Sequence, residues 1–201
     1  EVTETAQDDT PVLAIQIDAA VNYGNSGGPV LRGGKIAGIA FQTLLGGQNI
    51  NYIIAPPVID RFLRDIADGS YDGVPDIEAD GQVVENEDMK RYYGLAEGQG
   101  GILVRAVKSP RLSGILQEGD VITAVDGYAV DNEGYIQYRK GVRVYANVPL
   151  FLKQVGEHIR LTVVRDRTAR SVEVPLAVAF SRNRLVPLAI RERKAPYYIL
   201  G

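Results

Sequence analysis

The sequence predicts a mainly β protein built from two units, and three patterns carry this prediction. Short runs in which apolar and polar residues alternate recur along the chain, as they do in strands that bury one face. Gly-Gly and Asp-Gly pairs separate some of these runs, which is typical of antiparallel hairpins. Residues 69–75, "GSYDGVP", have the glycine, serine and proline content of a linker, so we expect a boundary between the units there.

The first unit is predicted to hold an antiparallel sheet and a closing helix. In chain order we expect a loop at 1–10, a strand at 11–19, a pair of strands within 28–41 that turns at Gly33-Gly34, a strand at 49–56 and a helix at 56–69. Prolines begin the helix and Gly69 follows its end. Its apolar residues fall at helical spacing, and they are Val58, Ile59, Phe62, Leu63 and Ile66.

The second unit is predicted to mix strands with short helices. We expect a strand at 100–107, a short helix leading into a strand within 112–127, a helix at 147–156 and a long hairpin at 158–179. The pair Asp126-Gly127 suits a hairpin turn that needs positive φ at both residues. Asn147 is the expected N-cap of the helix at 147–156, and Gly156 is expected to end it.

Composition excludes several classes of function. The chain has no cysteine and one histidine, so it can form neither a disulfide framework nor a zinc site of the usual kind. No apolar run approaches the roughly 20 residues of a membrane span. Acidic residues dominate the first half and basic residues the second, but the arginines are scattered through apparent strands and hairpins, so we expect no nucleic-acid partner. No cofactor is expected.

The segment "NYGNSGGPV", residues 22–30, indicates a chemical role for a sharp bend. A serine hydroxyl that attacks a carbonyl creates an oxyanion, which two backbone N–H groups can stabilise where the chain folds sharply. Gly24 permits the turn, Ser26 presents its hydroxyl, and Gly27-Gly28 leave room for a substrate backbone. A flexible hairpin turn is the alternative interpretation, because glycine and asparagine are ordinary turn residues.

The bend and its surroundings carry a resemblance to a known family. The sequence "QIDAAVNYGNSGGPVL", followed by "GKIAGIAF" and "NYIIAPPVIDRFL", resembles the nucleophile region of trypsin-like serine proteases, and specifically of the HtrA/Deg family. The resemblance implies Ser26 as the nucleophile and the amides of Gly24 and Ser26 as the oxyanion hole. The family usually has a proline where this chain has Tyr23, a departure that affects the stiffness of the loop more than its chemistry.

The same resemblance implies a specificity pocket bordered by Ala20 and by the strand segment Ile39, Ala40 and Phe41. Alanine forms the floor of this pocket and no carboxylate lies there. We therefore expect the pocket to prefer small or medium apolar side chains over Lys or Arg.

The sequence lacks a base that could activate Ser26. In this fold the catalytic histidine and aspartate precede the serine, but no histidine precedes Ser26, and Asp18 lies only eight residues before it. The single histidine, His158, is expected to be an ordinary strand residue of the second unit. We therefore expect the chain to be a fragment of a longer protease and to be inactive alone.

A second resemblance covers the second unit. The sequence "LSGILQEGDVITAVDGYAV" resembles the signature of PDZ domains, which HtrA/Deg proteases carry after the protease domain. PDZ domains add a peptide strand to a sheet edge and hold its terminal carboxylate with backbone amides.

The loop of this chain that corresponds to the carboxylate-binding loop consists of Ile77, Glu78 and Ala79, where Glu78 replaces the usual glycine. Either the groove binds internal segments, or it is blocked, or the alignment is shifted. The signature matches at Gly119, Asp120, Ile122, Asp126 and Gly127.

A calcium loop is the rival interpretation of the segment "DIEADGQVVENE". Its acidic residues fall nearly at the spacing of such a loop, although no helix is expected before it and Glu78 stands where Asp or Asn is normal. The acidic positions are Asp76, Glu78, Asp80 and Glu87.

Together these patterns predict the C-terminal part of a trypsin-like double β-barrel (1–68), a linker (69–75), an α+β PDZ domain (76–180) and a connector or the start of a further PDZ-like module (181–201). The predicted function is that of an HtrA/Deg-like serine endopeptidase fragment acting on unfolded or misfolded proteins. A pseudoprotease or scaffold that only binds peptides is the alternative. The resemblance also implies a trimer-based homo-oligomer for the full-length protein and, in a bacterium, a periplasmic or extracytoplasmic location.

Overall fold

The first sheet has five antiparallel strands. A computed structural model describes residues 2–7, 10–22, 24–43 and 51–178 of the protein. The strands lie in the spatial order β1-β2-β5-β4-β3. Their bounds are β1 (Val2–Gln7), β2 (Thr10–Ile17), β3 (Pro29–Arg32), β4 (Lys35–Thr43) and β5 (Asn51–Ile54).

The predicted loop at 1–10 is wrong, because β1 occupies most of it. All six residues of β1 pair with β2, from Val2 opposite Ile15 to Gln7 opposite Thr10. A polar segment with β-branched threonines becomes a strand here because a neighbouring strand supplies its hydrogen-bond partners. The turn at Gly33-Gly34 is confirmed, with φ of 57° and 74°.

The sheet is followed by helix α1 (Pro56–Asp65), which continues as a 3-10 turn at Ile66–Asp68. Gly69 ends the turn in the left-handed region, at φ 87°, as a residue after a helix end often does. Neither helix nor strand is present from Gly69 to Val74, and the proposed boundary between units at 69–75 stays a prediction. Among the described residues, no helix is both long and apolar enough to cross a bilayer.

The second unit is built on a sheet in the spatial order β14-β13-β9-β8-β7, with β10 paired to β9. Two smaller pairs, β11 with β12 and β6 with β15, lie beside it. The strands are β6 (Pro75–Asp76), β7 (Ala79–Val83), β8 (Ile102–Val107), β9 (Val121–Val125), β10 (Tyr128–Ala129), β11 (Tyr135–Arg139), β12 (Val142–Tyr145), β13 (His158–Arg165), β14 (Thr168–Pro175) and β15 (Ala177–Val178). The helices are α2 (Glu87–Tyr93) and α3 (Val148–Phe151).

Of the two helices predicted in this unit, one is absent and the other is shorter than expected. The helix expected within 112–127 is wrong, because only a 3-10 turn at Pro110–Leu112 and further turns precede β9. Helix α3 has a single turn, and the side chain of Asn147 makes no capping hydrogen bond. The turn at Asp126-Gly127 is confirmed, with φ of 47° and 87°.

The Gly-Asp pair before β9 has a clear structural reason. Asp120 is fully buried, and its two carboxylate oxygens accept hydrogen bonds from Nε and Nη2 of Arg165, each at 2.6 Å. Its Oδ2 also accepts the amide of Gln117 at 3.0 Å. A bidentate pair of this kind satisfies both charges, and the hydrogen bond that Arg165 donates to Asp120 raises the pKa of the Arg165 guanidinium.

Helix α1 contacts the second unit through the buried side chain and the backbone of Arg61. Arg61 is 4% exposed, and its Nε donates to the carbonyl of Lys153 just beyond α3, at 3.1 Å. Its guanidinium also donates to the carbonyl of Gly73, and it pairs with Asp65 at 3.4 Å. In return, Nε2 of Gln154 donates to the carbonyl of Arg61 at 3.0 Å. The helix therefore holds α3 and the predicted linker together.

Candidate active site and peptide groove

The bend at 22–28 is built from two successive turns. The Asn25 amide donates to the carbonyl of Asn22 and the Gly28 amide donates to the carbonyl of Asn25, both at 3.0 Å. Gly24 has φ 94° and Gly27 has φ 85°, values that only glycine adopts without strain. Two of the three glycines are therefore required by the backbone itself.

The bend is tied to the middle of β4. The Gly27 amide donates to the carbonyl of Ala40 at 2.8 Å, and the Ala40 amide donates to the carbonyl of Gly28 at 2.9 Å. A Cβ at Gly28 would lie 3.0 Å from the carbonyl oxygen of Asn25, so a side chain there would press on the turn. The tip thus has a fixed position relative to the sheet.

Ser26 lies at the tip with its side chain exposed to solvent. Its hydroxyl donates to the carbonyl of Phe41 at 3.3 Å. Within the described ranges, the amides of Gly24 and Ser26 have no hydrogen-bond partner. The bend therefore offers a hydroxyl and two donors that a substrate carbonyl could reach.

A cavity of about 450 Å³ lies beside the bend. It contains two of the predicted pocket residues, Ala20 and Ala40, together with Gly24. The other two, Ile39 and Phe41, lie on β4 but do not line it, and neither does Ser26. No carboxylate or cation is among the lining residues, which are Ile17, Ala19, Ala20, Val21, Gly24, Asn25, Gly28, Pro29, Val30 and Ala40.

One residue that supports this cavity was missed at the sequence level. Asn51 is 3% exposed, and its Nδ2 donates to the carbonyl of Ala19 at 3.0 Å. It therefore fixes the chain that leads from β2 into the bend. A polar residue at the start of an apolar strand is the signal that could have marked it.

The titratable groups considered as bases lie away from Ser26. His158 begins β13 in the other sheet, where it is exposed and pairs with Pro175. Asp18 is exposed, and in the part of the chain that is described, no hydrogen bond joins it to Ser26. Thus, among the described residues, neither His158 nor Asp18 is hydrogen-bonded to the Ser26 hydroxyl.

A second cavity, of about 350 Å³, opens between β7 and α3 and is called the groove below. β7 is an edge strand of its sheet among the described residues, so its outer backbone is available to an added strand. The floor is apolar and comes from β8, β9 and β13. The groove is lined by Asp76, Ile77, Ala79, Asp80, Gly81, Val83, Ile102, Val104, Ile122, Val125, Glu133, Gly134, Tyr145, Ala146, Asn147, Leu150, Phe151, Ile159 and Leu161.

Two of the three predicted peptide-binding residues, Ile77 and Ala79, line the groove, but Glu78 does not. Glu78 adopts φ 50°, in the left-handed region where glycine is normal. Its carboxylate turns to Arg111, whose Nη2 donates to it at 2.9 Å, and only 8% of its side chain is exposed. Its amide donates to Oδ1 of Asp76 at 3.2 Å.

A further acidic group that lines the groove is Glu133, which lies near Asp131 and Arg143. Asp131 accepts the amides of Glu133 and Tyr135, at 2.9 and 3.0 Å, and pairs with Arg143 at 2.6 Å. Burial raises the pKa of Asp131, but the two amides and the Arg143 guanidinium outweigh it and hold this pKa below its ordinary value. Arg143 also pairs with Glu133.

The calcium interpretation of residues 76–87 is not supported. The described residues contain no group of three or more acidic, histidine or cysteine side chains placed to hold a metal ion. The carboxylates that the spacing suggested turn to other partners, since Glu78 pairs with Arg111 and Asp80 pairs with Lys108. Much of the supposed loop is strand β7.

Fold and site together define a class: a mainly β protein in which the C-terminal part of a trypsin-like β-barrel, with a serine at a glycine-rich bend, precedes an α+β PDZ unit. No protein-family model matches the chain. Its sequence is 36% identical over 169 residues to protease Do-like 4, mitochondrial, and 32% identical over 205 residues to protease Do-like 2, chloroplastic, both from Arabidopsis thaliana. These matches cover 83% and 100% of the chain. The chain spans 32% and 33% of the length of these two relatives, about a third of each.

Solved structures agree on the fold. The HtrA-type protease AlgW with decapeptide aligns with a TM-score of 0.56 at 23% identity, covering 87% of this chain and 50% of that one. The same protease with tripeptide aligns with a TM-score of 0.58 at 22% identity, covering 85% and 55%. The chain belongs to the HtrA/Deg family of serine proteases.

Proposed function

We propose that this chain carries the nucleophile and the peptide-binding unit of an HtrA/Deg-like serine endopeptidase that acts on unfolded or misfolded proteins. The observation that supports this most directly is the bend at 22–28, where Ser26 is exposed beside two amides without partners in the described structure. A hydroxyl and two backbone donors at one sharp bend are what acyl transfer requires.

In the proposed reaction, Oγ of Ser26 attacks the scissile carbonyl carbon and loses its proton to a histidine. The carbonyl oxygen becomes an oxyanion that accepts hydrogen bonds from the amides of Gly24 and Ser26. The amine leaves with the proton from the histidine, and water then hydrolyses the acyl ester on Ser26. Because His158 lies in the other sheet, the histidine and its aspartate belong to polypeptide outside these 201 residues.

The cavity beside the bend supports a preference for apolar side chains. It is lined by small and apolar residues with one asparagine, and no charged side chain in the lining could pair with Lys or Arg. Because Ala20 and Ala40 project little into it, a small or medium apolar side chain fits it best.

The groove supports a second role, the capture of extended peptides. An edge strand can accept a peptide strand through backbone hydrogen bonds, while a pocket beside the edge holds one of its side chains. The groove offers both, because β7 forms its edge and Leu150 and Phe151 of α3 form its wall. We propose that it holds substrate segments near the protease unit.

Replacing the nucleophile tests the enzymatic part of this proposal. In the full-length protein that contains this chain, Ser26→Ala should abolish cleavage of an unfolded protein such as reduced casein, a loss of about a millionfold in kcat. The matched control is Ser171→Ala, which replaces an exposed serine on β14 and should leave cleavage unchanged.

The 201-residue chain alone should not cleave. Serine-dependent cleavage by it would show that the catalytic base does not come from outside these residues. Peptide binding without any Ser26-dependent cleavage by the full-length protein would favour the scaffold alternative.

A further inference from the structure

The groove differs from a site for a free C-terminus at the end where a terminal carboxylate would be held. There, the loop residues Ile77, Glu78 and Ala79 follow Asp76. The Asp76 carboxylate already accepts the Glu78 amide at 3.2 Å, so one of the loop amides has an internal anionic partner. A second carboxylate from a ligand would have to displace it or lie against it, and like charges at such distances repel.

Glu78 points away from the groove and occupies a cation that could otherwise face a ligand. It stands in the left-handed backbone position that a glycine would occupy without strain, at φ 50°. Its carboxylate engages Arg111, whose Nε also donates to Oγ of Ser109 at 3.3 Å. The Arg111 cation is therefore paired with Glu78 and is not directed at a ligand.

The other charged side chains that line the groove, called its acidic rim below, are also negative. The lining includes the carboxylates of Asp76, Asp80 and Glu133 but no lysine, arginine or histidine. Asp80 pairs with Lys108, and Glu133 shares Arg143 with Asp131. Three carboxylates line the groove, and two more, Glu78 and Asp131, lie next to lining residues in the sequence or share their cation. Four of these five carboxylates pair with three cations, and among the described residues no cation pairs with Asp76.

We infer that the groove selects an internal peptide segment in which an apolar side chain is flanked by Lys or Arg, and that it rejects a free C-terminal carboxylate. This inference rests on the proposed peptide-binding role of the groove and specifies its ligand. The apolar side chain enters the cavity above Ile102 and Ile159, the peptide backbone pairs with β7, and the flanking cations meet the acidic rim.

Three labelled peptides with one apolar core test this specificity by fluorescence anisotropy on the full chain. Each has about eight residues, enough to pair along a strand. The first has lysine flanks and blocked termini, the second has glutamate flanks and blocked termini, and the third has serine flanks and ends in a free carboxylate after the apolar residue. We expect the first to bind at least about tenfold more tightly than the others, and to weaken when salt is raised from about 0.05 to about 0.5 M.

Variants separate charge selection from groove binding. Asp76→Asn should weaken the lysine-flanked peptide about threefold. Glu97→Gln removes an exposed carboxylate outside the groove lining and should have no effect. Glu78→Gly suits the left-handed backbone, removes a carboxylate and leaves Arg111 without its partner, so it should tighten the free-carboxylate peptide about tenfold. Phe151→Ala removes part of the groove wall and should weaken every peptide that binds.

The outcomes distinguish the two levels of the proposal. If the free-carboxylate peptide binds as tightly as the lysine-flanked one, or if Asp76→Asn and Glu97→Gln act alike, the inferred specificity is wrong while the groove remains a peptide site. If Phe151→Ala changes the binding of no peptide, the groove is not the site, and the proposed function of this unit fails.

Discussion

At the scale of single residues, Asp131 gives the second unit a dependence on pH. Its carboxylate is held charged by two amides and Arg143, so its pKa in the folded chain lies below the ordinary value of 3.8. The unfolded chain therefore takes up this proton first as pH falls. The resulting stabilisation is fully present above the unfolded pKa and is lost as pH falls through the lower folded pKa.

Asp131→Asn tests this linkage, because asparagine keeps an oxygen that can accept the amides but has no charge. We expect the natural chain to have the higher Tm at pH 6, and we expect the difference to shrink below pH 4 and to vanish near pH 2. Thermal unfolding followed by circular dichroism across this range measures the difference. A difference in Tm that is equal at pH 6 and pH 2 would contradict the assignment.

At the scale of elements, helix α1 carries two charged pairs with the same spacing and opposite surroundings. Arg61 and Asp65 have side chains 5% and 1% exposed, whereas Arg64 and Asp60 are 52% and 71% exposed. Arg61→Met leaves the buried carboxylate of Asp65 without its cation and two carbonyls without their donor, which should cost about 3 to 5 kcal/mol of unfolding free energy. Arg64→Met is the matched control and should cost no more than about 0.5 kcal/mol. Urea unfolding measures both, and equal losses would show that the buried contacts of Arg61 contribute no more to stability than the exposed pair does.

At the scale of the whole molecule, the sequence predicts features that are determined locally and misses those that depend on distant partners. The turns at Gly33-Gly34 and Asp126-Gly127 follow from backbone preferences of the residues themselves, so they were predicted correctly. Strand β1 was missed because only its pairing with β2 makes it a strand. For the same reason, helical spacing predicts α1 but not that Arg61 faces the second unit.

The same distinction between local and distant determinants applies to the two candidate sites. The bend around Ser26 was predicted because its glycines and serine are contiguous in the sequence. The acidic rim of the groove was not, because Glu133 lies more than 50 residues from the loop at Asp76 and joins it only through the fold. The spacing of the acidic residues within 76–87 suggested a calcium-binding loop. Spacing alone does not reveal that Arg111 and Lys108, which lie outside this segment, pair with two of the carboxylates.

The distribution of apolar surface leads to a last prediction about the chain in solution. Phe62, Leu63 and Ile66 of α1 and its 3-10 turn are 45%, 56% and 37% exposed, and the ring of Phe62 lies 6.0 Å from that of Tyr71. A contiguous apolar patch favours association, so the 201-residue chain should self-associate as its concentration rises.

Leu63→Lys should shift this association toward the monomer, because it places a charge in the patch at a position where a helix tolerates lysine. Tyr92→Lys makes the same change of charge at a side chain that is 71% exposed in the second unit, away from the patch, and should leave the association unchanged. Sedimentation velocity over a range of concentrations measures the mass. If the two variants behave alike, the patch on α1 is not the surface through which the chains meet.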